Sequence, residues 1–337
     1  MVERLFWQGD AKSSREKEGT FVKDKTVVLN ADRINYDGKI DFSHIASQVT
    51  VYGATDEGQL LERIQGYDIV VTKEMPVSAE SIRRFPDSVK LLCEAGTGYN
   101  NIDLDAAKAR GITVCNIPAY STQRVAHTVF LLLLGLFSSM QKQQAMLCRG
   151  DHSNFEQFLQ VDHLELNGKT LGVIGAGHIG RAVTRLAHAF DMEVLAYTRT
   201  PRPDEEGVRY VPLDTLLRES DAVTLHCPLT EQTRHIIDQA ALAKMKPTAF
   251  LVNTSRGALI DEPALIRALT ARQIAGAGLD VLEQEPPRPD NPLYTLDNVI
   301  LTPHMGWKGL ETRQRLVNLL GENIAAFCRG EPRNVIV

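Results

Sequence analysis

The chain predicts an α/β fold of two doubly wound domains with an active site in the cleft between them. Three observations predict it. Its 337 residues exceed what one hydrophobic core comfortably supports. Short β-rich runs alternate with amphipathic stretches twice, first from Thr26 and again from Lys169, and such alternation implies crossover units on a parallel sheet. A glycine loop, Gly175-Ala176-Gly177-His178-Ile179-Gly180, opens the second series.

The first series has candidate strands TVVLNA (26–31), QVTVYG (48–53), DIVVTK (68–73), VKLLCEAG (89–96) and ITVCNI (112–117). Between them lie helical segments such as DEGQLLERIQ (56–65) and DLDAAKARG (103–111), the latter closed by glycine. A long apolar helix follows, roughly Ser121 to Gln143, with Ser121 and Thr122 as capping candidates. Val125, Val129, Phe130, Leu132, Leu133, Leu134 and Phe137 surround its axis, and a helix apolar all round is buried on several sides. It is expected to cross into the second domain and help form a homodimer contact, with burial inside one subunit as the alternative.

The polar stretch RGDHSNFEQFLQ (149–160) leads to KTLGVIG (169–175), the first strand of the second series. MEVLAYT (192–198), DAVTLHC (221–227), TAFLVNT (248–254), IAGAGLDV (274–281) and NVILTPH (298–304) complete six strands, the pattern of a doubly wound dinucleotide-binding domain. A last helix, about Leu310 to Arg329, has room to return to the first domain. The expected division is residues 24–118 with 308–337 as a discontinuous substrate domain, and 119–307 as the nucleotide-binding domain. Residues 1–23 are polar and patternless, and are expected to be a disordered extension.

Composition excludes other classes. A hydrophobic share of 43% and a charged share of 23% are ordinary for a soluble globular protein. The net charge of −5 argues against a nucleic-acid or anionic membrane partner. The longest apolar run, Val129 to Phe137, is about half of a bilayer span. Five scattered cysteines without CxxC spacing read as buried thiols in a reducing, cytoplasmic compartment. No metal site is expected, because histidines such as His152 and His163 lack ligand spacing.

The glycine loop follows a predicted strand and opens a predicted helix, the context that gives the pattern meaning. Gly175 would make the tight turn, Gly177 would admit a pyrophosphate, and Gly180 would let helix and strand pack closely. Phosphates then sit on free N–H groups at the positive helix end. The end of the second strand decides the dinucleotide. An NAD site usually places a carboxylate there, and this chain has Thr198 followed by Arg199, with no carboxylate until Asp204. A guanidinium beside an absent carboxylate suits a 2′-phosphate, so NADP(H) is preferred over NAD(H).

Farther along, Arg256 in NTSRG, Glu285 in EQEPP and His304 in TPHMGW each leave a predicted strand end, where such sheets place ligands. Reducing an α-keto acid needs a cation for the carboxylate, a proton for the carbonyl oxygen and stabilised developing charge. Arg256 suits the first by its planar, permanently charged fork. His304 suits the second, and Glu285 would orient its imidazole and raise its basicity. Asp280 is a candidate to orient the cofactor.

GAGHIG, HCPLT (226–230), NTSRGALID (253–261), AGLDVLEQEPP (277–287) and TPHMGW (302–307) together resemble the D-isomer-specific 2-hydroxyacid dehydrogenase family, in order and from about Lys25 onward. The resemblance implies a flavodoxin-like substrate domain beside the NAD(P) domain, and the roles of acid, orienter and anchor for His304, Glu285 and Arg256. It also implies cofactor contacts at His178, Ile179, Cys227, Pro228, Thr233, Thr254 and Asp280. Glu94 to Asp103, EAGTGYNNID, resembles the substrate-carboxylate loop, so Gly96, Thr97, Gly98 and Tyr99 are expected to meet substrate through an anion nest. With Trp307 as a further contact, the chain is similar to the hydroxypyruvate and glyoxylate reductase branch. Alternatives are a dehydrogenase of pyruvate or bulkier 2-keto acids, and a dinucleotide-sensing, corepressor-like binding protein.

Overall fold

In the computed structural model, which describes residues 25–205 and 207–337, the first sheet is built from short, apolar, β-branched runs. These are β1 (Lys25–Val28), β2 (Gln48–Val51), β3 (Ile69–Thr72), β4 (Leu91–Glu94) and β5 (Thr113–Cys115). All pair in parallel, in the order β2-β1-β3-β4-β5. Because side chains alternate along a strand, Val27, Val70, Leu92 and Val114 face one side. They meet Leu60 of α1 (Glu57–Arg63), Ile82 of α2 (Ala79–Arg83) and Ala107 of α3 (Leu104–Ala109). Asp56, Ser78 and Asp103 cap these helices by accepting from the third backbone N–H, at 2.9, 3.2 and 2.8 Å. The expected extension over residues 1–23 lies outside the described residues.

The long apolar helix is shorter than its pattern predicts. It is two helices, α4 (Thr122–Phe137) and α5 (Met140–Cys148), bent by 64°. The break has a local cause: the Ser138 hydroxyl donates to the Leu134 carbonyl and Ser139 turns left-handed, with φ +49°. The α4 face carrying Val129, Leu133 and Phe137 packs on the second sheet, while Leu131 and Leu134 stay 52% and 41% exposed. No single helix among the described residues is long and apolar enough to cross a membrane. Nor are all five cysteines buried: Cys93 and Cys115 are, whereas Cys148 is exposed.

After the short helix α6 (Ser153–Glu156), the second sheet begins. It contains β6 (Thr170–Ile174), β7 (Glu193–Tyr197), β8 (Val208–Tyr210), β9 (Ala222–Leu225), β10 (Phe250–Asn253), β11 (Gly276–Leu279) and β12 (Val299–Leu301). The order β12-β11-β10-β9-β6-β7-β8 is parallel throughout. The sequence predicts six strands; the seventh, β8, is a three-residue edge strand, too short to carry a periodic signal. The helices α7 (His178–Ala189), α8 (Leu213–Glu219), α9 (Gln239–Leu242) and α10 (Glu262–Thr270) intervene. The order in which strands are added reverses between β6 and β9, the switch point where such sheets bind ligands.

Helix α11 (Leu310–Cys328) then returns to the first sheet. Its Leu316, Val317, Leu320 and Ile324 cover the face formed by Val28, Ile69, Val71, Leu91 and Cys93. Arg313 fastens it, donating to the Ile34 carbonyl at 2.8 Å and forking onto Asp37 at 2.8 and 2.7 Å. Residues 335–337 lie along β5, where Ile336 N–H donates to the Val114 carbonyl at 2.8 Å.

Candidate active site

The glycine loop runs between the end of β6 and the start of α7. Gly175 has φ +103°, and a Cβ there would stand 2.6 Å from the Cys227 nitrogen, so the turn requires glycine. A Cβ on Gly180 would stand 2.0 Å from the Gly175 carbonyl oxygen; strand and helix touch at this point. At Gly177 a Cβ would meet nothing within 4 Å. The N–H groups of His178, Ile179 and Gly180 donate to no acceptor among the described residues. Open space before uncommitted donors at a helix N-terminus is the fit a dinucleotide pyrophosphate requires.

Beyond β7, the Thr198 hydroxyl donates to the Thr200 carbonyl at 2.7 Å, and Arg199 is exposed. Asp204, the next carboxylate, accepts from Tyr210 N–H at 2.7 Å and is committed to β8. On the far side of the switch point, Thr233 donates to the Pro228 carbonyl at 2.7 Å and Ser255 to the Cys227 carbonyl at 3.0 Å. Burial pushes the Cys227 thiol up to about 11, so it stays protonated and serves as wall rather than nucleophile. The Thr254 hydroxyl is buried without a partner among the described residues.

His304 and Glu285 come together from separate loops, with imidazole Nδ1 and carboxylate Oε2 at 2.8 Å. The other carboxylate oxygen accepts from Leu282 N–H at 3.1 Å. Burial works to raise the Glu285 carboxyl, but the hydrogen bond and charge of His304 outweigh it, and the group lies below its usual range. An ionised Glu285 on Nδ1 turns Nε2 of His304 outward as the working nitrogen.

Arg256 follows β10. Asn253 holds its backbone, donating to the Arg256 carbonyl at 2.8 Å, and the guanidinium donates to the Ser255 carbonyl at 2.8 Å. It has no carboxylate partner among the described residues, and it crosses to the first domain: a Cβ on Gly98 would lie 1.7 Å from its Nη2. Thr97 donates to the Ile117 carbonyl at 3.2 Å and Asn116 to the Thr97 carbonyl at 2.7 Å, fixing the loop. The N–H groups of Thr97, Gly98 and Tyr99 donate to no acceptor among the described residues. A guanidinium beside three uncommitted amides has the chemistry to take a carboxylate.

Two of the expected contact residues are buried. Asp280 is 1% exposed and faces the histidine loop. It accepts from Thr302 Oγ1 at 2.5 Å, Met305 N–H at 2.8 Å and Gly306 N–H at 2.8 Å. These bonds hold His304 at φ +49°, a conformation unusual for any residue but glycine. Trp307, expected to touch substrate, is 5% exposed and belongs to the first domain's core. It packs edge-on to Tyr120 with centroids 6.3 Å apart, and Lys73 Nζ lies 4.0 Å above its ring.

That contact leads to a group the motifs do not reveal. The Lys73 side chain is 4% exposed; its ammonium pairs with Glu74 at 2.6 Å and lies 3.3 Å from where a Gly96 Cβ would be. Glu94, 1% exposed, accepts from Thr72 Oγ1, Asn101 Nδ2 and Glu74 N–H at 3.0, 2.9 and 3.0 Å. Burial raises the Glu94 carboxyl above its usual range. It also raises the Tyr120 phenol, with the charges of Glu74 and Glu94 adding to it. The one sequence signal was charge inside an apolar run, in VVTK and LLCE, which buried strand ends tolerate only when paired.

Residues 130–306 match the profile of the D-isomer specific 2-hydroxyacid dehydrogenase, NAD binding domain. The chain is 37% identical over 321 residues to a hydroxypyruvate reductase of Blautia hydrogenotrophica, covering 93% of this chain and 99% of that one. It is 42% identical over 282 residues to a glyoxylate reductase of Korarchaeum cryptofilum, covering 82% and 85%. Among solved structures, an acyclic imino acid reductase in complex with NADPH and D-Arg superposes with a TM-score of 0.81 at 32% identity, covering 93% of this chain and all of that one.

Proposed function

Since the chain belongs to the D-isomer-specific 2-hydroxyacid dehydrogenase family, we propose that it reduces hydroxypyruvate to the D-2-hydroxy acid, and secondarily glyoxylate to the achiral glycolate, with NADPH. It is an α/β enzyme with a Rossmann nicotinamide-binding domain. The observations that carry the reading are the His304–Glu285 pair and the Arg256 guanidinium set against the open amides of Thr97 to Tyr99. Relatives of similar length named for the two substrates support the substrate class.

Arg256 and the loop amides take the substrate carboxylate, which fixes the carbonyl. His304, held by Glu285, donates its proton from Nε2 to the carbonyl oxygen as charge develops there. The Gly177 gap and the first turn of α7 would hold the pyrophosphate, and the unpartnered Thr254 hydroxyl would be a further contact for the cofactor. Bound there, the nicotinamide supplies the hydride. With no carboxylate at the end of β7, Arg199 is open to a 2′-phosphate, which supports the preference for NADPH.

In this reading, residues 24–118 with 308–337 form the substrate domain and residues 119–307 the cofactor domain. The enzyme works as a cytoplasmic homodimer, supported by the exposed Leu131, Leu134, Phe155 and Phe158, the last two 77% and 88% exposed. The test is absorbance loss at the nicotinamide band with hydroxypyruvate, NADPH against NADH at equal low concentration. Faster NADPH oxidation is expected. Preference for NADH would overturn the cofactor assignment alone, and silence with both cofactors and with glyoxylate would overturn the reaction.

A further inference from the structure

Lys73 and Glu74 follow β3, and Glu74 holds φ +52°, a strained backbone for a side-chain-bearing residue. The strain aims one carboxylate of the first domain at the cleft. Lys73 is sealed beneath it, between the Trp307 ring and Gly96, while the Glu74 side chain stays 36% exposed. Arg33 approaches the same carboxylate at 3.6 Å. Trp307, three residues beyond His304, lies under the Lys73 ammonium at 4.0 Å, which ties the Glu74 carboxylate to the His304 loop, and the Glu74 charge acts on His304, Glu285 and Tyr120.

The substrate loop orients these groups. Arg256 lies against Gly98 and Lys73 against Gly96, so the pair Lys73–Glu74 stands at the end of the loop away from the carboxylate anchor. A 2-keto acid with its carboxylate on Arg256 and its carbonyl toward His304 leaves its C3 substituent for the remaining side. We propose that Glu74 is a specificity-determining residue that accepts a hydrogen bond from an uncharged C3 substituent and repels a second negative charge there. It thereby restricts the substrates to small monoanionic 2-keto acids. This rests on the reductase reading above and adds the residue that selects among substrates. If Glu74 only neutralised Lys73, its loss would affect all substrates alike.

The experiment compares kcat/KM for hydroxypyruvate, glyoxylate and oxaloacetate in wild type, Glu74→Gln and Glu74→Asp. Oxaloacetate carries a carboxylate where hydroxypyruvate carries its hydroxyl, and glyoxylate has no C3. Glu74→Gln unmasks Lys73 and Arg33, so the oxaloacetate-to-hydroxypyruvate ratio should rise by about tenfold or more, because like charges juxtaposed in a site are strongly unfavourable. Glyoxylate, which has nothing at C3, should lose no more than hydroxypyruvate does, and Glu74→Asp should keep the wild-type ratio. An unmoved ratio in an active Glu74→Gln enzyme overturns the inference and leaves the reductase reading intact. Equal loss on all three substrates, with cofactor binding retained, also overturns it. If wild type turns over none of the three, the reductase reading itself fails.

Discussion

Replacing Asp280 by Asn tests how the histidine loop is held. The carboxylate serves three donors: one oxygen takes Thr302 Oγ1 and Met305 N–H, the other takes Gly306 N–H. An amide keeps one acceptor oxygen. If that oxygen retains the two-donor side, the amide NH2 points at Gly306 N–H, so one bond is lost and two donors oppose each other. Hydrogen bonds to a charged group contribute about 1.5–3 kcal/mol, and a buried unsatisfied group costs a further 1–3. The expected destabilisation is therefore about 2.5–6 kcal/mol, measurable by denaturant unfolding. His304 sits at φ +49° only because this loop is pinned, and displacement of a reacting group by about 1 Å can cost on the order of 100-fold in rate. We expect kcat to fall about 10- to 100-fold at saturating cofactor, with cofactor Kd from fluorescence titration within about threefold of wild type. A variant with wild-type kcat and a raised cofactor Kd would refute the loop-holding role and restore Asp280 to the cofactor.

Three further outcomes follow from the geometry. His304→Ala should lower kcat by about 100-fold or more while cofactor still binds; near-normal turnover would remove His304 as proton donor. Gly177→Ala should fold normally but weaken cofactor binding, whereas Gly180→Ala should fail to fold, since its Cβ would meet the Gly175 oxygen at 2.0 Å; circular dichroism with cofactor titration separates the two, and equal behaviour counts against the loop geometry. Hydrogen bonding from Arg313, ahead of its charge, holds the Asp37 carboxyl at about 2, below an unfolded value of about 3.9. The contribution is full above about pH 4 and disappears as pH falls toward 2. Asp37→Asn should therefore unfold more easily than wild type at neutral pH, with the gap closing between about pH 4 and 2; a gap independent of pH would contradict it.

The sheets were legible because their strands are apolar on both faces, and parallel sheets covered on both sides leave that signature. The glycine loop was legible because each glycine has a steric reason visible in its spacing. Arg256, Glu285 and His304 could be picked out one by one, but only folding puts Nδ1 and Oε2 at 2.8 Å. The break after Phe137 escaped notice because it depends on one serine hydroxyl turning back onto its own helix. Trp307 beside His304 read as a substrate contact, since sequence adjacency does not say which way a side chain turns. Glu94 opens the motif read as the substrate loop and Lys73 ends a strand, but what Lys73, Glu74 and Glu94 do together depends on partners 20 or more positions away or across the cleft.

The return of α11 to the first sheet has a consequence for synthesis on the ribosome. The face formed by Val28, Ile69, Val71, Leu91, Cys93 and Cys115 is only partly covered, by residues such as Ile34, Phe42 and Ile45, until Leu316 to Ile324 are made. That is about 200 residues after β5, or roughly 10–40 s of translation at 5–20 residues per second. The second sheet, contiguous in sequence, can be complete in that interval. One face of an apolar parallel sheet therefore waits partly exposed beside a finished domain, and a chaperone that recognises apolar surface would find its longest opportunity there.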